Sequence, residues 1–271
     1  MDSETRTGIV PCRIPQEIID EILDRLAADE AATPSLRSCS LVSKSWVQSC
    51  RRHLFRDLSF ASENVERWFK TFLVPEESPV HHVRHLRIVG GGGKCVPDAF
   101  FEYTPWFANA ETISLLTYGG IPPSRVPSLW RLPQSINTLT INGGMVTLPQ
   151  IRDIMAGLPN LDNLSLSGSL VPVDRKELLG IGTTLNGRFG GRLKLHGGLA
   201  DDNVINMLLE IPGGLRFTEL QVQCHHKCPL AASLAEVCSR NLVTLVYTVS
   251  VPGTSHSPGP TGSIRCADVI F

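Results

Sequence analysis

The chain of 271 residues lacks several features that would place it in a familiar class. It has no run of about 20 apolar residues, the length that a helix needs to cross a bilayer, so no membrane partner is expected. Its first residues, MDSETRTGIV, lack the apolar core of a signal peptide, so we expect a cytoplasmic or nuclear protein. Its net charge is only −1, which excludes a nucleic-acid binder driven by bulk positive charge.

Motifs for metals, nucleotides and catalysis are also scarce. The eight cysteines are expected to be buried or free thiols, because thiols stay reduced in these compartments. The segment Cys224–Cys228 holds two cysteines and two histidines, but a structural zinc site usually draws its ligands from two separated segments. The glycine run 90–93 before Lys94 lacks the spacing of a phosphate-binding loop. We therefore predict no cofactor, metal or catalytic residue, although an enzyme or metal site built from distant residues stays open.

Three short helices are predicted near the N-terminus, within residues 12–56. Pro15 suits a first helical position, where its missing N–H has no partner in any case. Behind it lie two adjoining apolar stripes, each at four-residue spacing: Ile18, Ile22 and Leu26, and Ile19 and Leu23. So small a unit has a marginal core, and surplus apolar surface indicates a partner. The alternative is a helical cap on the following domain.

The order and spacing of residues in this segment carry a family pattern. The pattern reads Ile14-Pro15-x-Glu17-Ile18-x-x-x-Ile22-Leu23-x-x-Leu26, then Leu36-x-x-Cys39-x-x-Val42-x-Lys44-x-Trp46, then Arg52-x-Leu54-Phe55. It resembles an F-box, with mild departures at Ile14 and Ser43. The resemblance implies docking onto the Skp adaptor of a Skp–cullin–F-box ubiquitin ligase. The implied adaptor-binding residues are Ile14, Pro15, Ile18, Ile22, Leu26, Val42 and Trp46.

A spaced apolar pattern recurs along the remainder of the chain. Each copy has the form apolar-x-x-apolar-x-apolar, and eight copies follow at intervals of 25 to 29 residues. This interval is typical of leucine-rich repeats, and the alternation within a copy indicates a short strand with one buried face. The copy around Leu193 is the poorest match. The central apolar positions are Leu58, Leu86, Ile113, Leu139, Leu164, Leu193, Leu220 and Leu245.

Helical segments are predicted between the strands, at 63–73, 148–158, 175–185, 201–211 and 230–239. A strand and a helix per repeat form a solenoid, in which neighbouring repeats cover each other's apolar edges. The chain departs from leucine-rich repeats because the usual Asn or Cys three residues after the last apolar position is absent. The side-chain ladder at that end of the strands is therefore expected to be missing, and the repeats irregular. A stretch with five prolines at 119–133 is expected to replace one helix by a loop.

The predicted fold class is α/β, with a short N-terminal three-helix F-box followed by an irregular leucine-rich-repeat-like solenoid. The expected boundaries are 12–56 for the F-box and 57–251 for the repeats. Residues 252–271 are expected to be a flexible tail or an incomplete last repeat.

Polar residues flank the central apolar residue of most strands, and strand alternation points them to solvent. Small hydroxyl and amide side chains occupy the middle repeats, with basic pairs on either side. We expect this face to bind a polar, somewhat acidic segment of a target protein, and the resemblance to an F-box then implies a non-catalytic substrate-recognition adaptor. The alternative is a protein-binding scaffold whose F-box is not assembled into a ligase. The predicted target-binding residues are His85, Arg87, Asn163, Arg192, Lys194 and Glu219.

Overall fold

A computed structural model describes ten stretches of the chain: residues 14–29, 31–61, 64–71, 78–90, 102–116, 133–158, 160–171, 190–210, 215–224 and 230–249. The chain divides into two compact units, Met1–Arg56 and Asp57–Phe271. No helix within these stretches is long and apolar enough to cross a membrane. Several predicted features lie outside the described residues: most of the proline-rich stretch, the helix at 175–185, residues 225–228 and the tail 252–271.

The described residues of the first unit form three helices, α1 (Gln16–Ala27), α2 (Ala32–Cys39) and α3 (Lys44–Leu54). Pro15 is the N-cap of α1. It lies one residue before the first helical position, where the sequence predicts it. A small buried cluster joins the three helices. Its members are Ile19, Leu23, Ala32, Leu36 and Cys50, with Leu26, Ala27, Cys39, Trp46 and Leu54 packed partly against it.

Within the described stretches, the second unit is built on eight strands. They are β1 (Asp57–Ala61), β2 (His85–Val89), β3 (Thr112–Leu116), β4 (Thr138–Thr147), β5 (Asn163–Val171), β6 (Gly190–Gly197), β7 (Arg216–Cys224) and β8 (Thr244–Val249). They form one sheet in chain order, and every neighbouring pair is parallel. The predicted α/β class, with helices at the N-terminus, is confirmed, and the strands form a parallel sheet.

The register of the sheet follows the apolar pattern. The central apolar residues pair with one another along the whole sheet, from Leu58 with Leu86 to Leu220 with Leu245. Leu193, in the poorest copy, pairs with Leu164 on one side and Leu220 on the other. Because side chains alternate between the two faces of a strand, a slip of one residue would turn the buried set outward. Burial of this set therefore determines the register.

Four helices of the second unit lie within the described stretches: α4 (Val65–Thr71), α5 (Leu148–Gly157), α6 (Asp202–Leu209) and α7 (Leu230–Cys238). Each falls inside a predicted helical segment. Two short 3-10 turns, Pro79–His82 and Thr104–Trp106, lie between earlier strands. Helix α5 begins with a capping box, in which Thr147 and Gln150 exchange side-chain and backbone hydrogen bonds.

One continuous buried cluster fills the second unit between the sheet and these helices. At its N-terminal end it is aromatic: the ring of Phe69 stacks on Tyr103 at 4.1 Å and meets Trp106 and Phe107 edge-on. Burial raises the pKa of the Cys238 thiol to about 11, so this thiol is protonated at neutral pH and packs as an apolar group. Cys238 forms no disulfide.

Polar side chains tie successive repeats together just before the strands begin. Asn109 donates to the carbonyl of His81 at 2.8 Å, Ser135 to that of Ala110 at 2.7 Å, and Asn160 to that of Gln134 at 3.1 Å. Asn109, Ser135 and Asn160 each lie four residues before the central apolar residue of the next strand. They link the loop of one repeat to carbonyls of the preceding repeat. The sequence predicts that the side-chain ladder usual after the strands is missing. The structure shows a different set of side-chain hydrogen bonds, which precedes β3, β4 and β5.

Candidate functional site

An apolar stripe that begins just before α1 and continues along it faces solvent. Ile14, Ile18 and Ile22 follow one another at four-residue spacing and are 52%, 47% and 46% exposed. The adjoining stripe, Ile19 and Leu23, is buried in the core of the first unit. The structure therefore separates the two stripes into an inner and an outer one. We call Ile14, Ile18 and Ile22 the outer stripe.

Two further apolar residues of the first unit are exposed in the turn between α2 and α3. Val42 is 66% exposed and Leu41 is 87% exposed. Val42 was predicted as a binding residue, whereas Leu41 was missed. The signal for Leu41 was present in the sequence, because a Leu–Val pair in a short turn has no helix face on which to bury both side chains.

A pocket of about 550 Å³ opens on the polar face of the sheet, across β4, β5 and β6. We call it the sheet pocket. Two rows of outward-pointing polar side chains line it, Thr138, Asn163 and Arg192 in the first row and Thr140, Ser165 and Lys194 in the second. The strand backbone at Leu139 and Leu164 lies between the rows. The lining residues are Thr138, Leu139, Thr140, Asn163, Leu164, Ser165, Arg192 and Lys194.

Hydrogen bonds fix one row of the sheet pocket. Asn163 donates through Nδ2 to Oγ1 of Thr138 at 3.3 Å. Arg192 donates through Nε to Oε2 of Glu219, on β7, at 2.5 Å. In the second row, Thr140, Ser165 and Lys194 are register partners on adjacent strands, and none of their side chains has a polar partner among the described residues.

Residues 11–58 match the family model of the F-box domain. The chain contains an F-box domain. F-box domains bind the Skp adaptor, and F-box proteins are typically non-catalytic adaptors. No curated protein matches the chain significantly.

The predicted adaptor-binding residues of the F-box domain fall into two groups. Those of the outer stripe, together with Pro15 and Val42, are exposed. Leu26 and Trp46 are only partly exposed, because they pack against the small core of the domain. Their replacement would therefore disturb the fold as well as any docking.

A polar network joins α1 to α3 within the F-box domain. The Ser49 hydroxyl and the Gln16 amide both donate to Oδ1 of Asp20. These hydrogen bonds, that from Ser49 first, hold the pKa of the Asp20 carboxyl below its usual value of 3.8. One turn further along α1, Asp24 accepts from Arg52 at 2.7 Å and lies 2.8 Å from Nε2 of His53.

The network predicts a pH dependence. Because the folded pKa of Asp20 is depressed, its contribution to stability is present above about pH 3.8 and is lost as the pH falls through the lower folded value. Ser49→Ala removes the larger cause and should raise the Asp20 pKa toward 3.8. An NMR titration of the Asp20 carboxyl should show this rise. The acid-unfolding midpoint of the F-box domain should move to higher pH.

Ser45→Ala is the matched control for this pH prediction. Ser45 lies on the same helix, is exposed, and shares a hydrogen bond with Ser43 rather than with Asp20. Its removal should leave the Asp20 titration unchanged. An Asp20 pKa that is equally low in Ser49→Ala and in the wild type would contradict the assignment of its cause.

The predicted target-binding residues are brought together only in part. Asn163, Arg192 and Lys194 line the sheet pocket, and Glu219 joins them through its ion pair with Arg192. His85 and Arg87 lie on β2, outside this lining; His85 approaches Asp57 at 4.0 Å. The pairing of Arg192 with Glu219 and of Lys194 with Gln221 is the one that the apolar pattern predicts.

Metal-ligating side chains do not converge in the described part of the chain. No group of three or more His, Cys, Asp or Glu side chains there could hold a metal ion. The candidate ligands at 225–228 lie outside the described residues. His196, the nearest histidine to the sheet pocket in sequence, forms a 3.0 Å hydrogen bond with the Gln223 side chain on the next strand.

Proposed function

We propose that this protein is the substrate-recognition subunit of a Skp–cullin–F-box ubiquitin ligase. The observation that carries the proposal is the exposed outer stripe on an F-box domain. The three isoleucines of the outer stripe are not members of the buried cluster of the F-box domain, to which Ile19 and Leu23 of the inner stripe belong. Covering them with a partner would recover roughly 25 cal/mol for each Å² of apolar surface removed from water. The Skp adaptor is the partner that the domain implies.

The second unit is proposed to hold the target. Its eight parallel strands, spaced by one repeat, with side-chain hydrogen bonds linking repeats just before β3, β4 and β5, support a leucine-rich-repeat-like solenoid over residues 57–251. Stacked repeats present a continuous strand face, which such proteins use for binding. The polar face that carries the sheet pocket is the proposed target surface. The ubiquitin chemistry then belongs to other subunits, in the cytoplasm or the nucleus.

Reconstitution tests the proposal directly. The full chain, mixed with purified Skp adaptor and cullin, should elute with both in size-exclusion chromatography. A complex that contains the adaptor but excludes the cullin would favour a scaffold whose F-box is not assembled into a ligase. Failure to bind the adaptor would reject the proposed function.

Charge reversal on the sheet should weaken target capture. Arg192→Glu with Lys194→Glu changes the charge of the sheet pocket without touching the F-box domain. We expect captured target to fall about tenfold at low salt. The difference should shrink at high salt, because exposed charges are screened over about 10 Å at 0.1 M salt. Quantitative mass spectrometry of proteins captured on the full chain measures this effect.

The adaptor serves as the internal control for this variant. Its recovery should equal that of the wild type, since the substitutions lie in the second unit. Full target capture by the doubly reversed variant would mean that recognition uses a surface other than the sheet pocket.

A further inference from the structure

The charges in the sheet pocket do not balance. Two cationic side chains line it, Arg192 and Lys194. Arg192 is neutralised by the carboxylate of Glu219, which it contacts through Nε. Lys194 forms no ion pair with any described residue. Asp162, which directly precedes β5, is not part of the lining. Among the described residues, the sheet pocket therefore presents one uncompensated positive charge.

Donors surround that charge on neighbouring strands. Thr140, Ser165 and Lys194 pair in register across β4, β5 and β6, and neighbouring strands lie about 4.8 Å apart. The two hydroxyls and the ammonium can all donate to one acceptor group placed over the middle strand. No described residue accepts from any of the three side chains. The second row is thus a set of unused donors around a single cation.

We propose that the sheet pocket binds one carboxylate, that of an Asp or Glu side chain in an unphosphorylated segment of the target protein. The inference rests on the proposed function, because it identifies the chemistry of the target. A carboxylate carries one negative charge and accepts hydrogen bonds through both oxygens. It matches the single free charge of Lys194 and the hydroxyls beside it.

A phosphate fits the same lining less well. A phosphorylated side chain carries about −1.5 to −2 charges at pH 7 and is usually read by clusters of arginines. The one arginine in the lining has its Nε committed to Glu219. Glu219 also adds a negative charge next to the sheet pocket, which opposes a dianion more than a monoanion. Glu219 is therefore a specificity residue that selects carboxylate over phosphate.

Three peptides test the inference on the full chain. Each is a twelve-residue Ser–Gly alternation, blocked at both ends, with Glu, Gln or phosphoserine at one central position. NMR titration at 50 mM salt should show binding of the Glu peptide, with the Gln peptide at least fivefold weaker. The phosphoserine peptide should bind no more tightly than the Glu peptide. Lys194→Gln should weaken binding of the Glu peptide about five- to tenfold.

Two further variants sharpen the test. Glu219→Gln releases Arg192 and should make the phosphoserine peptide bind at least tenfold more tightly than it binds the wild type. Arg240→Gln removes one positive charge from an exposed position away from the strands, and is the matched control for Lys194→Gln. It should leave all three affinities unchanged.

Several outcomes would overturn the inference. They are equal binding of the Glu and Gln peptides, tenfold tighter binding of the phosphoserine peptide by the wild type, or no binding of any peptide. Purified Skp adaptor added to the same samples separates this failure from that of the proposed function. Adaptor binding without Glu-peptide binding rejects only the carboxylate site. Glu-peptide binding without adaptor binding supports the site and rejects the ligase role.

Discussion

Replacing Ile18 and Ile22 together with alanine should weaken capture of the Skp adaptor about 30- to 150-fold. Each substitution removes three carbon atoms from a side chain that is about half exposed. At about 0.8 kcal/mol for each buried CH₂, the half that a partner would cover amounts to about 2–3 kcal/mol for the pair. Calorimetric titration of the full chain with purified adaptor measures the loss.

The inner stripe provides the matched control, because it lies one residue along on the same helix. Ile18→Ala with Ile22→Ala should cost the F-box domain less folding free energy than the inner pair does, since about half of each side chain is already exposed and alanine is a better helix former than isoleucine. Ile19→Ala with Leu23→Ala instead removes buried side-chain atoms from the small core and leaves cavities. Each of these inner substitutions should cost about 2–5 kcal/mol of folding free energy. Adaptor binding that survives loss of the outer stripe would contradict the proposed docking surface.

Much of the fold could be predicted because burial leaves a periodic trace in the sequence. The eight apolar triplets predict the eight strands and their register, including the weak copy at Leu193 and Leu195. Helix α1 shows the same principle at the period of a helix. Its two apolar stripes predict that one must face outward, and the structure shows which: Ile18 and Ile22 are exposed, while Ile19 and Leu23 are buried.

The polar interactions could not be predicted in the same way. In the sequence, nothing distinguishes Asn109, Ser135 and Asn160 from other loop residues. The carbonyl to which each donates lies about 25–28 residues earlier in the chain. Such a partner is defined only after the register is known. Arg192 and Glu219 were both predicted on the polar face, but their ion pair was not. That pair decides how much free charge the sheet pocket retains.

The weak copy of the repeat contains a glycine that the backbone constrains, and this leads to the second large prediction. Gly191 has φ of +67°, in the left-handed region that favours glycine. A Cβ added there would lie 2.1 Å from the carbonyl oxygen of Asp162, on the preceding repeat. The register shifts at this point, between Gly191 and Arg192. The backbones of two repeats thus meet at Gly191, next to Gly190, which occupies the first apolar position of the weak copy.

Gly191→Ala should destabilise the second unit by about 2–4 kcal/mol, since it combines a left-handed alanine with a clash against backbone that cannot rotate away. For a unit of this size the melting temperature should fall by roughly 4–16 °C, as differential scanning calorimetry of the full chain would show. The neighbouring Gly190→Ala is the control. Its Cβ would lie 3.5 Å from the nearest atom, an ordinary contact. Equal melting temperatures for the two variants would mean that the close approach at Gly191 does not limit the stability of the sheet.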